Sequence, residues 1–276
     1  MNFIKNITNP YILNICKKCQ DKLIRKNKID YFLRSSKMLK NELITFIKKK
    51  KYKVQSDLRE IEYAIWWNNF DLYTYFNKPY TWHIYKDDYF LAPGSLTQEI
   101  FQSLISEQIN LKKPKSIFEI GCGMGINLLY FAEKYPNIKF TGIDISKVGI
   151  QKCNKKNKFS NLSFVIGNAK YMQFKSNTFD MSYTTLALEQ MNEIKKDVID
   201  NISKITKNNV IFIEPFMNNN KNFLNYVHHK NSDYFDYEYK DLKKHNFIIE
   251  SIDDKFPQRL GLTASCVILN KTTTAL

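Results

Sequence analysis

Glycine is scarce in this sequence, and long apolar runs are absent. Only 8 of the 276 residues are glycine, and five of them lie close together. These five are Gly121, Gly123, Gly125, Gly142 and Gly149. Because glycine allows tight turns and a close approach of ligand to backbone, this concentration predicts a binding loop near residue 121. No run of about eighteen apolar residues occurs, so no transmembrane helix is expected.

The cysteines do not form a recognisable framework. There are 5 of them, an odd and scattered set that does not suggest disulfides. Cys16 and Cys19 have zinc-finger spacing, but no second Cys or His pair stands at the matching distance, so no metal site is expected.

Polar residues interrupt the N-terminal apolar stretch and no small-residue cleavage site follows it. A secretory signal is therefore not expected, and the predicted location is the cytoplasm.

One stretch has the pattern of a binding site. Residues 116–130, SIFEIGCGMGINLLY, indicate a short buried strand, a glycine loop and an amphipathic helix. A second strand-like run, 139–144, ends at Asp144, 21 residues after Gly123. This spacing fits a nucleoside site, in which the loop lies against the ligand and the carboxylate accepts hydrogen bonds from ribose hydroxyls.

The glycine spacing distinguishes between cofactors. A dinucleotide fingerprint requires glycine at 121, 123 and 126, but residue 126 is Ile. Glu119 precedes the loop; it would repel a pyrophosphate and suits a ligand with a cationic amino-acid end. In the segments FEIGCGMG and TGID the chain resembles the class I S-adenosylmethionine-dependent methyltransferases. The resemblance implies S-adenosylmethionine as cofactor and Asp144 as the ribose-binding acid.

The resemblance extends to later segments. Where the family commonly has Gly-Asp-Ala at the adenine, this chain has Gly167, Asn168 and Ala169; the Asn168 oxygen can still accept a hydrogen bond, although Asn also suits a turn. The predicted cofactor-binding residues are Glu119, Gly121, Gly123, Gly125, Asp144, Ile145, Asn168, Ala169 and Thr184.

Strand and helix patterns alternate from residue 116 onward, which is typical of a parallel sheet with helices on both faces. The predicted strands are 116–120, 139–143, 162–166, 179–185, 209–214, 247–253 and 263–270. The predicted helices are 124–135, 147–157 and 192–207. The resemblance implies an α/β fold with a doubly wound, mostly parallel seven-stranded sheet of order 3-2-1-4-5-7-6.

Residues 1–92 are predicted to form a helical, aromatic-rich cap, and 93–276 the catalytic domain. Apolar spacing predicts helices over 10–28, 30–51 and 55–69, and a further helix from Ser95 to about Asn110. The aromatic segment 63–90 fits either a lid over the substrate or a core joining the two domains.

Of the net charge of +15, residues 1–92 carry +9, from 18 basic and 9 acidic residues. Such a basic region can bind nucleic acid, an anionic membrane surface or an acidic glycan, while a solvated helix face is the simpler explanation.

The candidate catalytic residues are Glu189 and His83. Small-molecule methyltransferases of this type often have Glu-His at the carboxyl end of the fourth strand, where this chain has Glu189 and Gln190. Glutamine cannot take a proton, so a desolvated Glu189 or a nearby histidine would have to serve as base. The alternatives are an exposed carboxylate at a helix start and a core histidine.

The predicted function is O-methyl transfer to a small or glycan-like acceptor. An anionic acceptor, such as an acidic or phosphorylated sugar, fits because its oxygen needs no base. No Asn-Pro-Pro-Tyr, Asp-Pro-Pro-Tyr or Pro-Cys motif follows strand four, which argues against base N-methylation and pyrimidine C5-methylation. The alternatives are an RNA methyltransferase that uses the basic N-terminal region, and a non-catalytic cofactor-binding protein. A nucleic-acid partner is not favoured, and no oligomeric state is predicted.

Overall fold

The structure is a computed structural model that describes residues 10–18, 24–49, 80–86, 88–219, 223–231, 234–261 and 263–272. The described α-helices are α1 (Pro10–Lys18), α2 (Lys28–Lys49), α3 (Leu96–Lys112), α4 (Ile126–Lys134), α5 (Lys147–Lys156), α6 (Lys195–Ile205) and α7 (Phe223–Asn231). Short 3₁₀ turns occupy Ala169–Tyr171, Leu188–Gln190, Met217–Asn219 and Tyr239–His245.

The described strands form two sheets. They are β1 (Ile24–Lys26), β2 (Thr81–Tyr85), β3 (Asp88–Ala92), β4 (Ser116–Ile120), β5 (Lys139–Asp144), β6 (Leu162–Ile166), β7 (Phe179–Thr185), β8 (Thr206–Glu214), β9 (Phe247–Asp253), β10 (Gln258–Arg259) and β11 (Ser265–Lys271). The larger sheet has the order β6-β5-β4-β7-β8-β11-β9, and the smaller one β1-β3-β2-β10.

The larger sheet confirms the predicted fold. Strands β6, β5, β4, β7 and β8 pair in parallel, and β11 pairs antiparallel with both β8 and β9. Numbered within this sheet alone, the order is the predicted 3-2-1-4-5-7-6. The predicted bounds of β4, β6, β7 and β9 agree with the structure to the residue, and those of the other strands within about three residues.

The core lies on both faces of this sheet. Ile117 of β4 belongs to the cluster that packs against α3 and α4, whereas Phe118 and Ile120 belong to the cluster on the α6 side. Side chains alternate between the faces of a strand, so each central strand contributes to both clusters. Burial on both faces explains why β4 and residues 210–213 of β8 appear in the sequence as largely apolar runs.

The N-terminal region contains strands as well as the helices of the predicted helical, aromatic-rich cap. The predicted helix over 10–28 is wrong at Ile24–Lys26, which form β1, and the described helix α1 covers Pro10–Lys18. Helix α2 agrees with the predicted helix 30–51. The aromatic segment ends in the hairpin of β2 and β3. The predicted helix 55–69 lies outside the described residues, as does most of the aromatic segment. Ser95 precedes α3 as predicted, although its side chain makes no capping hydrogen bond.

The N-terminal region shares a core with the larger sheet. Phe90 and Ala92 of β3 lie in the same apolar cluster as Leu96 and Ile100 of α3. The two-residue strand β10, from the C-terminal part of the chain, completes the smaller sheet by pairing with β2. The boundary at residue 92 stays a prediction, and packing across it is continuous.

Helix α2 is held on α7 by one carboxylate. Glu42 Oε1 lies 2.7 Å from His228 Nδ1, and Asn231 Nδ2 donates to Glu42 Oε2 at 2.6 Å. The same amide nitrogen is 2.6 Å from the Glu42 carbonyl oxygen.

Along the described part of the chain, no helix combines the length and apolar character needed to cross a membrane.

We expect Glu42→Ala to weaken the docking of α2 by about 1.5–3 kcal/mol, because hydrogen bonds to a charged group contribute on that order. Hydrogen exchange measured over residues 28–49 should then accelerate. Asn41→Ala changes an exposed neighbour on the same helix and serves as the control. Equal exchange protection in the two variants would contradict this role for Glu42.

Candidate active site

The carboxyl ends of β4 to β8 meet at one edge of the larger sheet, where ligands bind in open α/β folds. Five chain segments reach this edge. They are the loop after β4, Asp144 at the end of β5, Asn168 after β6, the turn after β7 and Glu214 at the end of β8.

Two glycines of the loop, Gly121 and Gly125, have no room for a side chain. Gly121, Gly123 and Gly125 have φ values of 71°, 54° and 68°, in the region that L residues rarely adopt. A Cβ atom on Gly121 would lie 2.5 Å from the Ala187 Cβ, and one on Gly125 would lie 2.7 Å from the Phe164 ring. The bare loop leads directly into the N-terminus of α4, an arrangement that suits close contact between a ligand and backbone.

Asp144 is fixed between this loop and α5. Its Oδ2 accepts a hydrogen bond from Gly123 N at 2.8 Å, and its Oδ1 accepts one from Ser146 N at 2.8 Å. Burial raises the pKa of Asp144, while the two backbone donors act in the opposite direction. A carboxylate has about four acceptor positions, so two remain for the hydroxyls of a ribose.

Glu119 lies beneath the loop rather than open to a ligand. Its Oε1 accepts a hydrogen bond from Asn127 Nδ2 at 2.9 Å and lies 3.5 Å from Thr185 Oγ1. Asn127 Oδ1 in turn accepts from Gln98, so the network joins α3, α4, β4 and β7. Burial raises the pKa of Glu119 to about 8, and at neutral pH the group is mostly protonated. This differs from the expected anion beside a cationic ligand group, because Glu119 is buried and bonded to Asn127 of α4.

The predicted adenine-side residues surround a short turn. Asn168 Oδ1 accepts a hydrogen bond from Lys170 N at 2.8 Å and thereby caps the turn Ala169–Tyr171. The turn role that the sequence left open for Asn168 is therefore present, and its amide nitrogen is the group that can face a ligand. Ala169 is buried, and its carbonyl oxygen accepts from Asn201 Nδ2 at 3.1 Å. Ile145, directly after Asp144, is half-buried.

Thr184 and Thr185 lie on opposite faces of β7. Thr184 has no exposed surface and lies on the face away from Glu119. The Thr185 hydroxyl lies 3.1 Å from Asn127 Nδ2, within the network under the glycine loop. Thr185 is therefore a better candidate than Thr184 for the cofactor-binding residue on β7. The alternation of side chains along the strand decides which of the two faces the loop.

A buried carboxylate orders the turn after β7. Glu214 accepts hydrogen bonds from the backbone N–H groups of Ala187, Leu188 and Glu189, at 3.0, 3.2 and 3.3 Å. Burial raises the pKa of Glu214 to about 7. No motif in the sequence gave Glu214 a role at the site. The available signal was a charged residue directly after the apolar run of residues 210–213, next to Pro215.

Glu189, a predicted base, lies on the turn that Glu214 orders. Its Oε1 accepts a hydrogen bond from Gln190 Nε2 at 3.0 Å, and its carbonyl oxygen accepts from Phe235 N at 3.2 Å. Burial, followed by the charge of Glu214, raises the pKa of Glu189 to about 8. The carboxyl is desolvated, as a base would require, but it is mostly protonated at neutral pH and can donate a hydrogen bond.

The geometry of His83 argues against its predicted role as a base. Its Nδ1 lies 3.1 Å from the Thr81 carbonyl oxygen and its Nε2 lies 3.1 Å from Thr97 Oγ1. The ring stacks on Phe90 and has no exposed surface. Burial lowers the pKa of His83 to about 4, so the imidazole is neutral. Both ring nitrogens of His83 are engaged, so it is a core histidine, which is the alternative that the sequence left open.

The other three histidines also have roles in packing or in contacts between elements. His228 is bound to Glu42, and His245 Nδ1 lies 2.6 Å from Asp200 Oδ1. His229 is buried, and burial lowers its pKa.

In the described residues, no group of three or more His, Cys, Asp or Glu side chains could hold a metal ion. Cys16 is buried in the apolar core, and Cys19 lies outside the described residues.

Comparison with known proteins assigns the family. The family model described as "Methyltransferase domain" matches residues 111–259, more than half of the chain. The phthiotriol/phenolphthiotriol dimycocerosates methyltransferase of Mycobacterium leprae is 34% identical over 74 residues, 27% of this chain and 27% of that protein. The fatty-acid O-methyltransferase of Mycolicibacterium smegmatis is 33% identical over 66 residues, 24% of each chain. The chain thus spans about a quarter of the length of these curated relatives.

The fold is similar to that of solved methyltransferases. The crystal structure of magnesium protoporphyrin IX methyltransferase from Synechocystis PCC 6803 with bound SAH superposes with a TM-score of 0.51 and 12% identity. The match covers 63% of this chain and 83% of the other. Because the family match contains the glycine loop, Asp144 and Glu214, the chain belongs to the class I S-adenosylmethionine-dependent methyltransferases, with S-adenosylmethionine as its cofactor.

Proposed function

We propose that the protein is an O-methyltransferase whose acceptor oxygen is already ionised when it binds, such as the carboxylate of a small lipid-like acid. The observation that carries this proposal is the burial of the Glu189 carboxyl on the turn after β7, which raises its pKa to about 8 and favours the protonated form at neutral pH. It can donate a hydrogen bond to an anionic oxygen, but at neutral pH it is not available to remove a proton from a hydroxyl.

The residues at the sheet edge fit the cofactor. The glycine loop leads into the N-terminus of α4, where backbone N–H groups suit a ligand, and Asp144 keeps acceptor positions for the ribose hydroxyls. Bound S-adenosylmethionine supplies a methyl group activated by a sulfonium. Asn168 and Ala169 are the residues proposed for the adenine side, with Thr185 in place of Thr184 beside the loop.

The protein's contribution is mainly alignment. Methyl transfer to an anion needs the acceptor oxygen placed in line with the methyl group, and orientation can supply about 7 kcal/mol of the barrier. The turn that carries Glu189 is fixed by three hydrogen bonds to Glu214, which holds the donor in place. Being uncharged, the protonated Glu189 also avoids the repulsion that an ionised carboxylate would exert on an anionic acceptor.

The choice of acceptor has one further support. The Mycolicibacterium smegmatis relative is named a fatty-acid O-methyltransferase, and a fatty acid presents a carboxylate at neutral pH. The acidic or phosphorylated sugar expected from the sequence offers the same anionic chemistry at its reacting oxygen. The lipid-like acid is preferred because of this relative.

Product analysis tests the proposal directly. Purified protein and methyl-labelled S-adenosylmethionine would be incubated with matched pairs of a long-chain acid and its alcohol, and with sugar acids and sugar phosphates. We expect label in a methyl ester of an acid, removable by alkaline hydrolysis, and none in the alcohol. Methylation of the alcohol in preference to the acid would overturn the ionised-acceptor proposal.

Asp144→Asn should weaken binding of S-adenosylhomocysteine at least about tenfold, because charge-assisted hydrogen bonds of roughly 1.5–3 kcal/mol each are lost. Calorimetry measures the affinity. Asp180→Asn is the matched control, since Asp180 also accepts from two backbone amides, Lys115 N and Ser116 N, but lies at the opposite end of the sheet. Equal affinity in the two variants would remove Asp144 from the site.

The pH profile separates the two roles of Glu189. With a pKa raised to about 8, the carboxyl is protonated below that pH and ionises above it. Turnover of an anionic acceptor should therefore decline as pH rises through about 8, since the donor is lost and a repelling charge appears. Glu189→Gln keeps a hydrogen-bond donor and should abolish this decline. A rate that instead rises toward pH 8 and collapses in Glu189→Gln would identify Glu189 as a base acting on a neutral hydroxyl.

A further inference from the structure

The outer face of α2 exposes large apolar side chains. Ile29, Phe32 and Leu33 have 69%, 66% and 63% of their surface exposed. Their spacing of three and four residues places them next to one another on the helix. Single exposed apolar residues are common on protein surfaces, but a contiguous apolar group marks an interaction site.

The opposite face of α2 already has its partners. Tyr31 packs against Tyr89, with ring centroids 4.4 Å apart, and against Trp82 at 6.3 Å. Farther along, Glu42 binds His228 and Asn231 of α7. The helix is thus oriented by its inner face, and this orientation directs Ile29, Phe32 and Leu33 outward.

The fully exposed charges on this part of α2 have one sign. Between residues 28 and 45 the exposed charged residues are all basic: Lys28, Arg34, Lys37 and Lys40. The two acids of this stretch, Asp30 and Glu42, are only partly exposed.

A pocket of about 690 Å³ opens at the N-terminal end of the same helix. Its charged lining consists of Arg25, Lys26, Lys28, Asp30 and Asp88, with three cations against two acids.

We propose that this α2 face, formed by Ile29, Phe32, Leu33, Arg34, Lys37 and Lys40, docks the protein on an anionic lipid surface. Cations flanking an exposed apolar group match lipid phosphates that lie above acyl chains. The apolar side chains would enter the headgroup boundary while the cations stay at the phosphates. The inference goes beyond the proposed function and does not depend on which acceptor is methylated.

Two other occupants fit the surface less well. In a symmetric contact with a second copy, an isologous patch would bring the same cations against one another. An RNA would attract the cations but would leave most of the aliphatic surface without a partner, since RNA offers phosphates and stacking bases. The lipid surface satisfies both the charge and the apolar area.

Vesicle sedimentation tests the proposal with the full chain. The probe is vesicles of equimolar phosphatidylcholine and phosphatidylglycerol, compared with vesicles of phosphatidylcholine alone. We expect binding to the anionic vesicles that weakens as salt rises. Leu33→Glu should reduce this binding about tenfold or more, because it removes apolar insertion and adds a repelling charge.

Leu111→Glu is the matched control, since Leu111 is 64% exposed on α3 and receives the same substitution. Arg34→Gln with Lys37→Gln tests the charge separately and should also reduce binding. S-adenosylhomocysteine affinity and thermal melting, which these exposed positions should leave unchanged, show that the variants are folded.

Three results would overturn the proposal. The first is failure of the wild-type protein to bind anionic vesicles, and the second is equal loss of binding in Leu33→Glu and Leu111→Glu. The third is a concentration-dependent dimer, seen by sedimentation velocity, that Leu33→Glu dissociates, because a second copy would then be the occupant. Salt-sensitive binding of RNA that Leu33→Glu leaves intact, in the absence of vesicle binding, would assign the basic residues to nucleic acid instead.

Discussion

The close approach of two loops, at Gly121 and Ala187, is the constraint on which the rest of the site depends. A side chain at Gly121 would begin 2.5 Å from the Ala187 Cβ, well inside the roughly 3.5–4.0 Å at which carbon atoms pack. From the other side, Glu214 holds the same turn through its backbone N–H groups. Two features thus fix the cofactor loop relative to the turn proposed to face the acceptor. Gly121 has no side chain and lets the two approach, and the buried Glu214 carboxylate holds the turn.

Burial also determines the charge of the site. Glu119, Glu189 and Glu214 are acidic in the sequence, but each has a raised pKa because it is enclosed by the core. Burial raises the pKa of Asp144 as well, and the two backbone donors on its carboxylate oppose that effect. The acidic residues near the sheet edge therefore supply less negative charge than their number suggests, which is compatible with an anionic acceptor.

The sequence predicted what depends on local pattern and missed what depends on contacts across the fold. The sheet strands were predictable because central parallel strands are apolar on both faces, and the loop because its glycines adopt positive φ. Strand β1 has only three residues and follows an apolar helical pattern, so nothing local separates it from α1. The surroundings of His83, the choice of Thr185 over Thr184 and the role of Glu214 all follow from packing or register between distant segments. No spacing within the sequence contains that information.

The pairing of β10 with β2 has a consequence for how the protein is made. Gln258 pairs with Ile84 and Arg259 with His83, so the edge of the small sheet is closed by residues far along the chain. During synthesis, the ribosome must add the whole segment from β3 to Arg259 before β2 obtains this partner. Until then β2 presents an unpaired edge, which is the kind of surface that chaperones shield and that promotes association between nascent chains. Sequence-distant pairing of this type also slows folding, because a long loop must close first.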